Sequence, residues 1–287
     1  MPSLRVHELT IATHHFPARG DGGPVGAPVL CLPSTGLSGL QWRRLAKQLS
    51  KRGHEVWALD FIAYGESDDW PRAKAPFRTE YDVDAVEALL EQIGQPVHLV
   101  AHSYGGRVGL RAGLRAPSRL RSLSLFEPTC FGVLRSTQDL ASQTELLDYD
   151  ADGRFLEDGF GGSEAWVERF VDYWSGAGTW AQLDVDERAR WLRSSQKMFE
   201  EVRETALDEL PHTHYVEALG PLSTLVMSGE LSTRAGRSCA QLLAEHMPLG
   251  RHVELEEVGH MAPVLASREV AKLITEHIEQ VERAERG

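Results

Sequence analysis

Ser103 stands in Val97-His98-Leu99-Val100-Ala101-His102-Ser103-Tyr104-Gly105-Gly106, where an apolar run meets a glycine-rich stretch. Ala101 and Gly105, two residues to either side, are small enough for a very sharp bend between a buried strand and a helix. A serine hydroxyl is a weak nucleophile at neutral pH and needs a base to take its proton. It also needs dipoles aimed at the oxyanion that forms after attack, and a helix N-terminus supplies them. His260, in Val258-Gly259-His260-Met261, follows the last apolar strand-like run and is the candidate base. The competing reading of Ser103 is a plain helix N-cap, since serine is favoured there. The strand before it, its small flanks and a downstream histidine at a strand end favour nucleophilic catalysis. The other histidines gain no such support: His14, His15, His212 and His214 lack ligand spacing with a third donor and read as surface residues.

These residues need a framework, and the chain alternates strand and helix signals. An antiparallel pair is expected over Leu4–Thr10 and His14–Pro17, then a loop over Arg19–Pro28. Short apolar runs at Val29–Leu32, Glu55–Leu59, Val97–Ala101, Leu120–Phe126, Leu222–Met227 and His252–Leu255 read as buried parallel strands. Helical spacing marks Ser38–Lys51, Arg78–Ile93, Tyr104–Ala116, Thr233–His246 and Ser267–Val281. Gly94 stands where a helix terminator belongs. The rhythm breaks from about Cys130 to Leu210, which is acidic, aromatic and helical throughout. Trp166, Phe170 and Trp174 share one helix face there. The expectation is an α/β fold: a mainly parallel eight-stranded sheet with helices on both faces and an inserted helical cap. Residues 1–129 and 216–287 would form the core and residues 130–215 the cap.

Composition narrows the partners. The 287 residues are 42% hydrophobic and 25% charged, with a net charge of −12, as in an ordinary globular protein that can bury its own core. The acidic balance argues against nucleic acid and anionic membranes and leaves a small-molecule substrate. Three widely spaced cysteines give neither a disulfide framework nor a zinc knuckle. Behind Met1-Pro2-Ser3-Leu4-Arg5 there is no apolar run of signal-peptide length, so a cytoplasmic location is expected. A monomer or homodimer would suffice.

The segment around Ser103 resembles the nucleophile elbow of the α/β-hydrolases, with Ala101 in place of the first glycine of G-x-S-x-G. The Gly259-His260 pair matches that family's histidine loop. The resemblance runs over nearly the whole chain and implies oxyanion donors at the backbone N–H of Tyr104 and of Thr35. Thr35 lies in Leu32-Pro33-Ser34-Thr35-Gly36, where many relatives have His-Gly at the Pro33-Ser34 place. Asp60, in a stretch similar to the family's D-x-x-G-x-G-x-S-D, is read as structural.

The acid is the open point of that comparison. The family usually places an aspartate after the penultimate strand, and here that place holds Ser232, which cannot stabilise an imidazolium by charge. Certain haloalkane dehalogenases of this fold carry the acid at the end of the strand after the elbow helix. In this chain that place is Glu127, 24 residues beyond Ser103. Glu127 is therefore the favoured acid and Glu230 the alternative.

The resemblance implies hydrolysis of a carboxylic ester of a small, largely apolar substrate through an acyl-enzyme, with no metal or cofactor. A carbon–carbon bond hydrolase, a thioesterase or an acyl-transferring or cyclising enzyme of secondary metabolism would use the same residues. A non-catalytic binding protein on the same fold is the remaining alternative.

Overall fold

The computed structural model describes residues 3–19, 26–71 and 75–286. Met1-Pro2 and residues 20–25 of the expected Arg19–Pro28 loop lie outside them. A hairpin of β1 (Ser3–Val6) and β2 (Leu9–Phe16) opens the chain, followed by β3 (Val29–Leu32), α1 (Arg43–Ser50) and β4 (Val56–Leu59). Then come α2 (Thr79–Ile93), β5 (Val97–His102), α3 (Tyr104–Arg115) and β6 (Leu120–Phe126). The eight strands form one sheet in the order β1-β2-β4-β3-β5-β6-β7-β8, with β7 at Ser223–Gly229 and β8 at Gly250–Leu255. Every pairing from β4 onward across the sheet is parallel; β2 meets both β1 and β4 antiparallel.

The hairpin differs from the sequence expectation in its turn. His7 and Glu8 both have positive φ (51° and 68°), so the chain reverses at residues 7–8 and β2 already runs at Leu9. Two positive-φ residues are what a two-residue hairpin turn needs, but it normally recruits Asn or Gly.

Alternation along the strands divides the core into two layers. On β5, Leu99 and Ala101 face the cluster packed under α2 and α3, whereas Val100 faces the cluster shared with α1 and the C-terminal helix. The helix α2 stops at Gly94, whose left-handed φ of 74° lets its N–H return to the Leu90 carbonyl.

Between β6 and β7 the chain makes helices and, among the described residues, no strand. They are α4 (Gly132–Ser136), α5 (Leu140–Tyr149), α6 (Glu164–Ser175), α7 (Thr179–Gln182), α8 (Val185–Arg193), α9 (Ser195–Ala206) and α10 (His212–Leu219). The last of these crosses position 215/216 and packs on α3. The chain closes with α11 (Arg234–His246), α12 (Ala262–Leu265) and α13 (Ser267–Arg286).

Candidate active site

β5 ends at His102 and α3 begins at Tyr104, so Ser103 alone makes the bend, at φ 54° and ψ −120°. A non-glycine residue in that region is strained. The strain is held by neighbours: the Ser103 N–H donates to Phe126 O at 2.9 Å, and the Ser103 carbonyl accepts from Gly106 N at 2.9 Å and Thr129 N at 3.2 Å. Gly105 explains the demand for a small residue, because a Cβ there would stand 2.4 Å from Pro33 O and 2.8 Å from Leu32 O.

Strand register then sets the second residue. His102 is opposite Phe126 and Phe126 is opposite Met227, so Ser103 and Glu127 leave the same edge of the sheet side by side. Glu127 too has positive φ, 41°, with its N–H bonded to Met227 O at 2.9 Å. Its carboxylate is fully buried and makes two short hydrogen bonds. Oε1 accepts from the Gly229 N–H at 2.7 Å, and Oε2 lies 2.6 Å from His260 Nδ1. A carboxylate partner makes Nδ1 the donor, so Nε2 is left as the lone-pair nitrogen.

His260 itself is fixed from two more sides. Its carbonyl accepts from His102 Nε2 at 2.9 Å, and the indole of Trp174 packs over its ring with centroids 4.3 Å apart. Burial pushes the His102 imidazole well below the usual histidine range, which keeps it neutral. With Nε2 donating, His102 Nδ1 accepts from Gln41 Nε2 at 3.3 Å, and Gln41 Oε1 in turn accepts from Ser34 N at 2.9 Å. One relay therefore joins the Ser34-Thr35 loop to the His260 loop beneath Ser103. Ser103 Oγ and His260 are not hydrogen-bonded among the described residues; catalytic contacts of this kind are often long and tighten only in the reacting complex.

Thr35 and Tyr104 line the same cavity as Ser103. Tyr104 opens α3, so its N–H has no acceptor within the helix. The cavity holds about 230 Å³, more than the roughly 150 Å³ void known to take a benzene ring. Its walls are mostly apolar, with Phe131, Leu146, Phe155, Leu156, Phe170 and Trp174 among them.

The other sequence candidates fall elsewhere. Glu230 is exposed and its carboxylate accepts from the Glu257 N–H at 3.0 Å, so the alternative acid is not brought to His260. Ser232 is half-buried, and its hydroxyl makes no hydrogen bond among the described residues. Asp60 is buried and structural: it takes the N–H groups of Gly39 and Glu66 and the His14 ring. His14 is thus buried rather than on the surface as expected. The face Trp166–Phe170–Trp174 of α6 splits by depth. Trp166 is fully buried between Phe155 and Phe170, and only Trp174 reaches the histidine. The sequence assigns no site role to Trp174 or Gln41. Trp174 carried a signal, its place on that face; Gln41 carried none.

A model of the alpha/beta hydrolase family matches residues 29–273. The chain belongs to that family. Among curated relatives of this hydrolase, rhodomycin D methylesterase DauP of Streptomyces sp. strain C5 is 25% identical over 295 residues, covering 91% of this chain and 93% of the relative. Lipase LipV of Mycobacterium tuberculosis is 28% identical over 279 residues, covering 91% and 95%. Among solved structures, a meta-cleavage product hydrolase from Pseudomonas fluorescens IP01 superposes on the hydrolase with a TM-score of 0.70 at 17% identity, covering 98% of each chain. At that identity the likeness is one of fold.

Proposed function

We propose that the chain is a serine hydrolase that cleaves a carboxylic ester of a small, largely apolar substrate. The observation that carries this reading is the 2.6 Å bond between buried Glu127 and His260, beside an elbow that presents Ser103 to a cavity. Ser103 Oγ attacks the ester carbonyl carbon while His260 Nε2 takes its proton. Glu127 holds the imidazole in the required tautomer and offsets the charge of the imidazolium. The Thr35 and Tyr104 N–H groups bind the oxyanion. Collapse breaks the C–O bond, and the proton on Nε2 passes to the departing alcohol. A water deprotonated by the same nitrogen then attacks the acyl-enzyme and restores Ser103.

Residues 130–215 are proposed as the cap that roofs the cavity, with α6 supplying Phe170 and Trp174. The relatives named as a methylesterase and a lipase support ester bonds as the target. Among the described residues no helix is long and apolar enough to cross a membrane, and no group of three or more His, Cys, Asp or Glu is placed to hold a metal. A cytoplasmic enzyme acting on a small molecule, as monomer or homodimer, is in keeping with the acidic chain.

A panel of p-nitrophenyl esters of rising acyl length tests the reading. Turnover should peak at short to medium chains, as a cavity of about 230 Å³ requires. Turnover of a thioester or a β-diketone with none of any ester would move the assignment to those chemistries.

A further inference from the structure

A buried cluster of charges packs around the Tyr104 side chain, and the triad makes no use of it. Lys197, on α9, is 4% exposed. Its ammonium reaches Asp82 Oδ2 on α2 at 2.9 Å and Glu201 Oε2, one turn along its own helix, at 2.5 Å. It also sits over the rings of Tyr64, Phe77 and Tyr104, at 4.0, 4.7 and 4.7 Å from their centroids. Asp82 holds Tyr104 in turn: the phenol donates to Oδ2 at 2.9 Å, and Oδ1 accepts from Ile62 N at 3.0 Å. Glu201 is fully buried, near Thr35 and Tyr64. Neither Glu201 Oε1 nor the Tyr64 hydroxyl has a hydrogen-bond partner among the described residues.

One lysine from the segment between β6 and β7 thus serves two carboxylates, and one of them, Asp82, holds Tyr104, which lines the cavity beside Ser103. Burying an ammonium is unfavourable unless it is paired and hydrogen-bonded, and apolar packing alone would be met by Leu or Met. Two carboxylates without a cation would also set negative charge behind the place where an oxyanion must form. Burial pushes the Glu201 carboxyl up, against the pull of Lys197 beside it.

We infer that Lys197 is a positioning residue for the oxyanion site: through Asp82 it holds Tyr104, so that a residue of the proposed cap completes the core's oxyanion hole. The inference rests on the serine-hydrolase reading. A lysine that merely pinned the two parts together would affect melting temperature and leave the chemistry of the folded enzyme alone.

The test uses Lys197→Met, Lys197→Met with Glu201→Gln, and Tyr104→Phe, which keeps the backbone N–H and removes only the phenol link to Asp82. Each full-length variant is assayed well below its own melting temperature. The readouts are the second-order rate of Ser103 labelling by a fluorophosphonate, and kcat and KM for p-nitrophenyl acetate. Lys197→Met should lose about 10- to 100-fold in labelling rate and in kcat with KM within about twofold. That is less than the 10²–10³ lost with a whole oxyanion donor. Tyr104→Phe should lose less, and the double variant should recover part of the Lys197→Met loss by removing the second carboxylate. A folded Lys197→Met with the wild-type labelling rate and kcat overturns the inference, whatever its melting temperature. If Lys197→Met does not fold, wild-type rates in Tyr104→Phe overturn it. Failure of the wild type itself to label would instead strike the hydrolase reading.

Discussion

Glu127 Oε2 lies 2.6 Å from His260 Nδ1, although the two residues are 133 positions apart in the chain. The strand order produces this contact: β6 lies between β5 and β7, so its end stands beside the elbow, and the loop after β8 folds back over it. An amide in place of this carboxylate keeps the shape, loses the charge and favours the wrong tautomer. Glu127→Gln should therefore lower kcat on a p-nitrophenyl ester by up to about 10⁴, the loss seen when a triad aspartate becomes asparagine, with KM little changed. Glu230→Gln should match the wild type in the same assay. The reverse pattern would transfer the acid role.

Gln41 links Ser34 N to His102 Nδ1, and His102 holds the His260 carbonyl. Gln41→Leu removes both of its hydrogen bonds without adding charge. One net hydrogen bond is worth about 1 kcal/mol, so kcat should fall about fivefold. Unchanged kcat would show that the two loops hold their places without the relay.

Trp174 covers the His260 ring and forms part of the cavity wall. Trp174→Ala should widen the cavity and shift the acyl-length optimum toward bulkier esters, with a rise in KM for acetate. An unchanged length profile would exclude Trp174 from the substrate wall.

Two buried histidines make the fold acid-sensitive. His98 bonds Ser122 and Glu282, and His277 bonds Ser124 and Ser223. Burial pushes each down to about 4 from the usual 6.5, outweighing for His98 the opposing pull of Glu282. A histidine with a depressed folded value stays neutral in the native state while the unfolded chain takes up a proton. Its contribution is then fully present above pH 6.5 and is lost as pH falls toward 4, about 3 kcal/mol for each. Urea unfolding should show stability falling between about pH 6.5 and 5, where carboxylates are still ionised, and His277→Gln should flatten that fall. A wild-type unfolding free energy constant over this interval would contradict the assignment.

The parts of the site that were legible in the sequence are those with local demands. A bend at Ser103 requires small residues at 101 and 105, and Gly105 meets the Pro33 carbonyl for that reason. Glu127 stood out because Ser232 holds the place where the family's acid is expected. What was hidden depended on long-range packing. Lys197 and Glu201, four residues apart, have the spacing of any i, i+4 helix pair, and only the seating of α9 on α2 buries them beside Asp82. Trp166, Phe170 and Trp174 share a face, but spacing does not say which of them reaches the histidine. The His7-Glu8 turn has neither Gly nor Asn to mark it.

The most direct test of the nucleophile is intact-mass and peptide analysis of the chain after treatment with a fluorophosphonate. The account predicts one adduct per chain, located at Ser103, formed in step with loss of esterase activity and absent from Ser103→Ala, which should itself lose about 10⁶ in kcat as in other triads. An adduct elsewhere, or a Ser103→Ala variant that hydrolyses p-nitrophenyl acetate at a near wild-type rate, would contradict it.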